Sequence, residues 1–181
     1  MKSTRLFCIL SFIGELVPIY PVYVLLFQSN GLSLGQISLL LAIWGIPVVL
    51  FEVPSGILAD NWSRKRMLTL GYLLKASCYI LWFFSKGFAL YALGFILWGI
   101  SSAFCSGAFE GLLFDTLKKS GREGEFDRIY GRTLFFAGTG QAVSMFTGGF
   151  LSSLLGMYNV ILISLAKGAV YRMCAGREAR R

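Results

Sequence analysis

The sequence predicts an all-α, polytopic membrane helix bundle of five to six transmembrane helices, and three observations predict it. Apolar residues make up 56% of the 181 positions and charged residues only 14%, against about 25% charged in an ordinary soluble domain. The apolar residues come in long unbroken blocks. Lysine and arginine gather in every second connection between those blocks, as they do on the cytoplasmic side of membrane proteins. Membrane strands would run about 10 residues and alternate strictly. These blocks are longer and do not alternate.

The elements follow in chain order. Residues 6–27 form the first block, interrupted only by Glu15 and small polar residues. Lys2 and Arg5 ahead of it resemble the start of a cleaved signal, but the apolar run continues to Phe27 with no small-x-small cleavage site, so a retained first helix is expected. The second block, 37–59, contains Glu52; the third, 67–84, contains Lys75; the fourth, 88–114, contains Glu110; the fifth, 133–155, carries no charge. A helix needs roughly 20 apolar residues to cross the hydrocarbon core, and four of the five blocks reach that length. The sixth block, 159–171, is short and interrupted by Lys167. The expected organisation is a bundle of five helices over 1–156, then a short or incomplete sixth helix and a basic cytoplasmic tail over 157–181. Between the fourth and fifth blocks, Glu123, Glu125, Asp127 and Arg128 stand at helical spacings and predict a short surface helix.

Charge sets the expected orientation. Lys2 and Arg5 precede the first helix, Arg64, Lys65 and Arg66 follow the second, and Lys118, Lys119, Arg122, Arg128 and Arg132 follow the fourth. The opposite connections hold Lys86 alone. The N-terminus is therefore expected in the cytoplasm of a multi-pass protein of the cell membrane, a bacterial inner membrane. A sixth crossing would return Arg172, Arg177, Arg180 and Arg181 to the same side. The net charge of +8 reflects this topology. Scattered bases, rather than one basic stripe, argue against nucleic acid as a partner. With no histidine, and with Cys8, Cys78, Cys105 and Cys174 at no paired spacing, no metal site, cofactor or enzymatic constellation is expected.

The connection after the second block reads Gly56-Ile57-Leu58-Ala59-Asp60-Asn61-Trp62-Ser63-Arg64-Lys65-Arg66. Glycine permits close helix approach, and an acid suits the positive start of the next helix. The bases suit the anionic inner leaflet. This pattern resembles the signature loop between the second and third helices of the major facilitator superfamily, Gly-x-Leu-Ala-Asp-Arg-x-Gly-Arg-Arg/Lys. Asn61 stands where that family has a base and Ser63 where it has glycine. The resemblance implies half of a major facilitator fold, the N-terminal six helices, with Gly56, Asp60, Arg64 and Lys65 as a conformational gate motif. Glu110, Asp115 and Arg132 are candidate gate partners. In the fifth block Gly140, Ser144, Gly148, Ser152 and Gly156 recur every four residues, a ridge suited to close helix packing. With Gly149 it resembles the fifth-helix antiporter motif, Gly-x-x-x-Gly-Pro-x-x-Gly-Gly. Ser144 replaces a glycine there and Met145 the proline. Phe95 stands where antiporters place an arginine.

Ionisable residues inside membrane helices are functional candidates. Glu15 lies about 13 Å into the first helix, followed by Pro18 and Pro21, which would loosen the backbone. The resemblance places the first helix on the central cavity, so Glu15 is the candidate for solute or proton coupling. Its alternative is a structural acid paired with Lys75. Lys75 itself falls on a helix that is peripheral in the family. The expected function is secondary transport, as efflux, of a small solute across the lipid bilayer. It would require a second transporter half or a homodimer. The alternative is a non-transporting truncated remnant or a regulatory membrane subunit.

Overall fold

The computed structural model describes residues 2–166, without the side chains at 2, 3, 60 and 61. The expected tail, with Lys167 and its later arginines, and the Asp60 side chain therefore lie outside the described residues. Within them the chain is helical, with no strand: α1 (Lys2–Glu15), α2 (Tyr23–Ser29), α3 (Leu34–Asn61), α4 (Arg64–Phe84), α5 (Phe88–Lys118) and α6 (Phe126–Leu155). An apolar helix, α7, follows over Met157–Ala166. A 3-10 turn, Glu123–Glu125, joins α5 to α6, where the sequence predicts a short surface helix.

Among the described residues, three helices are long and apolar enough to cross a membrane: Leu34–Ala59, Arg64–Phe84 and Phe88–Lys118. α6 has 30 residues, but its glycines, serines and threonines dilute its hydropathy. The first apolar block is not one helix. It divides into α1 and α2 around residues 16–22. Pro18 and Pro21 cause the division, because each lacks an N–H and disfavours helix in the residue before it.

α5 is the central strut and packs against α3 and α4, while α1 packs against α6. Two apolar clusters tie these groups together at opposite ends. One gathers α2, the start of α3, the end of α4, the start of α5 and α7 around Phe27, Trp82, Tyr91 and Phe95, all fully buried. The other joins Phe7 of α1, Leu113 and Leu117 of α5 and Ile129 of α6. The short turn from α3 to α4 sits at this second end, beside Ala59, Met67 and Ala108.

The surface inverts the rule for soluble domains. Phe146 is 84% exposed, Phe135 71% and Val49 71%, whereas Ser55, Ser101, Thr133, Ser144 and Ser164 are buried. Apolar faces turned outward and small polar residues turned inward are what lipid as solvent selects. This is a multi-pass membrane protein.

Small residues on α6 set its distance to α1. A Cβ at Gly140 would collide with the Phe12 carbonyl, and one at Gly148 with the Pro18 carbonyl. Ser144, between them, donates its hydroxyl to the Glu15 carbonyl at 3.2 Å. Gly149 points into open space and takes no part in this crossing. Gly56 also departs from expectation. A Cβ there would meet nothing within 4 Å, so its lack of a side chain is not what brings α3 toward its neighbours.

In the connection to α6, Arg122 holds the Glu125 carboxylate through two hydrogen bonds, at 2.7 and 2.8 Å. The bonded guanidinium lowers the Glu125 pKa and raises that of Arg122. The tie is intact at neutral pH and is lost as pH falls through the lowered Glu125 value.

Replacing Gly140 by valine is expected to destabilise the bundle by about 1–3 kcal/mol through overpacking. The same change at Gly149 should leave stability within about 0.5 kcal/mol. Thermal unfolding in detergent, followed by helical circular dichroism, checks the contrast. Equal melting of the two variants would contradict the close α1–α6 crossing.

Candidate functional site

Between the α1–α6 pair and the α4–α5 pair lies a cavity of about 280 Å³. Its charged lining residues are Glu15, Lys75 and Glu110, and hydroxyl groups, those of Tyr72, Tyr130, Ser101 and Ser102 among them, add polar lining. The fold thus brings together three charges that the sequence separates by 60 and 35 positions, each the one ionisable residue of its apolar block.

Glu15 is the last residue of α1, at the break. The tight course of 17–22 swings Tyr20 back over it. Tyr20 donates its hydroxyl to Glu15 Oε2 at 3.1 Å. Lys75 Nζ donates to the same hydroxyl at 3.3 Å. The Tyr20 ring stacks on Trp98 with centroids 5.6 Å apart and planes within 2°. Lys75 Nζ stands 5.8 Å from the Tyr20 centroid and 5.6 Å from that of Trp98, within cation–π range. Lys75, on a helix that is peripheral in the family, lines the cavity and stands one hydroxyl away from Glu15. Tyr20 and Trp98 escaped the sequence reading because nothing local distinguishes them from interfacial aromatics. Lys75 carried a usable signal, as a lone cation within an apolar block.

Toward the second apolar cluster, Tyr130 of α6 donates its hydroxyl to Glu110 Oε1 of α5 at 2.5 Å. Phe126 stacks on Tyr130. Glu110, a candidate gate partner, thus engages a tyrosine of α6. Further out, Arg64 Nη1 lies 2.9 Å from Asp115 Oδ2. Gly111 makes room for that guanidinium, since a Cβ there would lie 2.6 Å from Arg64 Cζ. Lys65 and Arg132 are exposed. Among the described residues no ion pair is formed by Arg132.

Two substitutions probe these ties. Asp115→Asn should cost at most about 1 kcal/mol, because both partners are partly exposed, and the charge-swapped pair R64D with D115R should recover part of that loss in thermal melts. Tyr130→Phe leaves the Glu110 carboxylate without its donor and should cost about 1–3 kcal/mol. It should also raise amide exchange at the start of α6, read by mass spectrometry.

The family model described as Major Facilitator Superfamily matches residues 6–173. Among curated proteins, a similar one is the "Uncharacterized transporter BU466" of Buchnera aphidicola subsp. Acyrthosiphon pisum (strain APS). It is 30% identical over 94 residues, covering 45% of this chain and 24% of that protein. The chain thus aligns with about a quarter of that relative's length. The family match takes in nearly every described residue of the bundle, the broken first helix and the cavity between α1, α4, α5 and α6 included, and the chain belongs to the major facilitator superfamily.

Proposed function

We propose that the chain forms one wall of a secondary transporter and that the cavity holds its small solute near mid-membrane. The observation that supports this best is charge placement. Glu15, Lys75 and Glu110 converge on one cavity inside a bundle whose outer faces are apolar. Ionisable groups at that depth are costly and mark pathways. The discontinuous first helix adds support, since transporters of this kind place broken helices at midplane sites.

Alternating access needs a second bundle to rock against, so the reading includes a second transporter half or a second copy of the chain. Efflux is the proposed direction, on the partial antiporter likeness of Gly140, Gly148 and Gly149. The proposed orientation puts Arg64, Lys65, Arg66 and Arg122 in the cytoplasm. It is supported by their shared end of the bundle, where Arg64 meets Asp115. The gate role proposed for Gly56, Asp60, Arg64 and Lys65 has that same ion pair behind it, with Asp115 as the partner.

The test is solute-stimulated proton flux in proteoliposomes, read with a pH-sensitive dye over a panel of small solutes. At least one solute should drive flux, and Glu15→Gln should abolish it. Flux unchanged in Glu15→Gln removes Glu15 from coupling. No flux with any solute favours the non-transporting subunit. Single cysteines at positions 65 and 122 should react with impermeant maleimide only from the cytoplasmic side; labelling from outside reverses the orientation.

A further inference from the structure

We infer that the cavity ligand is a small zwitterion of the α-amino-acid type, its carboxylate taken by Lys75 and its ammonium by Glu15. This rests on the cavity being the solute site and goes on to name the solute class. The geometry is an open ion pair. Glu15 and Lys75 have opposite charges and line the same cavity, yet they do not touch. The Tyr20 hydroxyl stands between them, bonded to both. Two restraints hold it there: the Tyr20 ring is stacked on Trp98, and the Tyr20 N–H is tied to the Val17 carbonyl at 3.1 Å.

Both charged groups retain bonding capacity toward the cavity. An ammonium has three N–H donors, and Lys75 gives one to Tyr20 among the described residues. A carboxylate offers about four acceptor sites, and Glu15 Oε2 uses one for the same hydroxyl. Glu110, the third charge on the lining, is engaged by the Tyr130 hydroxyl toward the other end of the cavity, so a head group beside Tyr20 meets Glu15 and Lys75. There a ligand with a single positive charge would satisfy Glu15 and be repelled by Lys75. A ligand with a single negative charge would satisfy Lys75 and be repelled by Glu15. Either would also carry net charge into a site of low dielectric. A head group bearing both signs on adjacent atoms satisfies both walls and brings in no net charge. The volume, about 280 Å³, lies just under the usual range for ligand pockets and fits a small head group with a short side chain.

Isothermal titration of the detergent-solubilised 181-residue chain with L-leucine, isoamylamine and isocaproate tests this. The three share a branched carbon chain and differ in head group. Leucine should bind at least about tenfold more tightly than either single-charge analogue. Lys75→Met should lose leucine and gain isoamylamine, while Lys75→Arg keeps leucine. If Lys75→Met fails to fold by circular dichroism, Glu15→Gln supplies the mirror result, a loss of leucine and a gain of isocaproate. Isoamylamine or isocaproate binding the unaltered chain as tightly as leucine overturns the inference, as does no binding of any of the three. The liposome flux assay separates the two readings. Flux driven by another solute without leucine binding retains transport and rejects the zwitterion. Leucine binding without flux does the reverse.

Discussion

The structure depends on one constraint: in hydrocarbon, every backbone N–H released from a helix must find a partner inside the protein. The first helix is broken at 16–22, so the accounting there is demanding. Leu16 N–H bonds back to the Phe12 and Ile13 carbonyls, and Val17 N–H to that of Glu15. Pro18 and Pro21 have no N–H to satisfy. Tyr20 N–H reaches Val17, and the N–H groups of Val22 and Tyr23 both reach Ile19. The remaining N–H, that of Ile19, is satisfied from far along the chain by the Ser164 hydroxyl of α7, at 3.2 Å. Two prolines and one distant serine thus make the break affordable in a solvent that offers nothing.

That same break builds the site. Ending α1 at Glu15 lets the chain fold back so that Tyr20 covers the carboxylate. α6 can lie against α1 along this stretch because Gly140, Ser144 and Gly148 present almost no bulk to the Phe12, Glu15 and Pro18 carbonyls. On the opposite wall, Ser101 of α5 donates to the Gly71 carbonyl of α4 at 2.7 Å. That bond fixes the two helices in register one turn below Lys75. The cavity is the space left between two tightly fastened pairs that are joined to each other chiefly at their ends.

Much of this was legible in the sequence, and the part that was not has a physical reason. Block length and basic connections gave the helices, because hydrocarbon thickness and leaflet charge act on composition alone. The four-residue spacing of small residues marked the face of α6 that meets α1, because a helix repeats its faces at that period. Glu15 stood out because a lone acid in an apolar block needs an explanation. Spacing says nothing about which face a helix turns inward, however. That Lys75 reaches the cavity could therefore not be read from its helix, and Gly149 was grouped with Gly148 although the two point in different directions. Pro18 and Pro21 marked a weak point, but whether a helix bends or breaks there depends on a partner for Ile19, and Ser164 lies 145 positions away.

The two ends of the bundle are tied by different chemistry, and the difference sets how strongly each is held. At the α2 end, Phe27, Trp82, Tyr91 and Phe95 interlock with ring centroids 4.0 to 6.0 Å apart. Separating buried rings of this size exposes apolar area at roughly 25 cal/mol per Å², with no compensating bond available from water. At the basic end the ties are the Tyr130–Glu110 hydrogen bond and the partly exposed Arg64–Asp115 pair. Water or another charged group can replace the Arg64–Asp115 pair nearly one for one, which is why exposed pairs are worth only about 0–1 kcal/mol. Beneath them Phe7, Leu113, Leu117 and Ile129 form a smaller apolar cluster, with Phe109, Phe126 and Tyr130 packed against it. The basic end is therefore the more weakly tied of the two, and Glu110 both lines the cavity and accepts the Tyr130 bond that helps hold that end together.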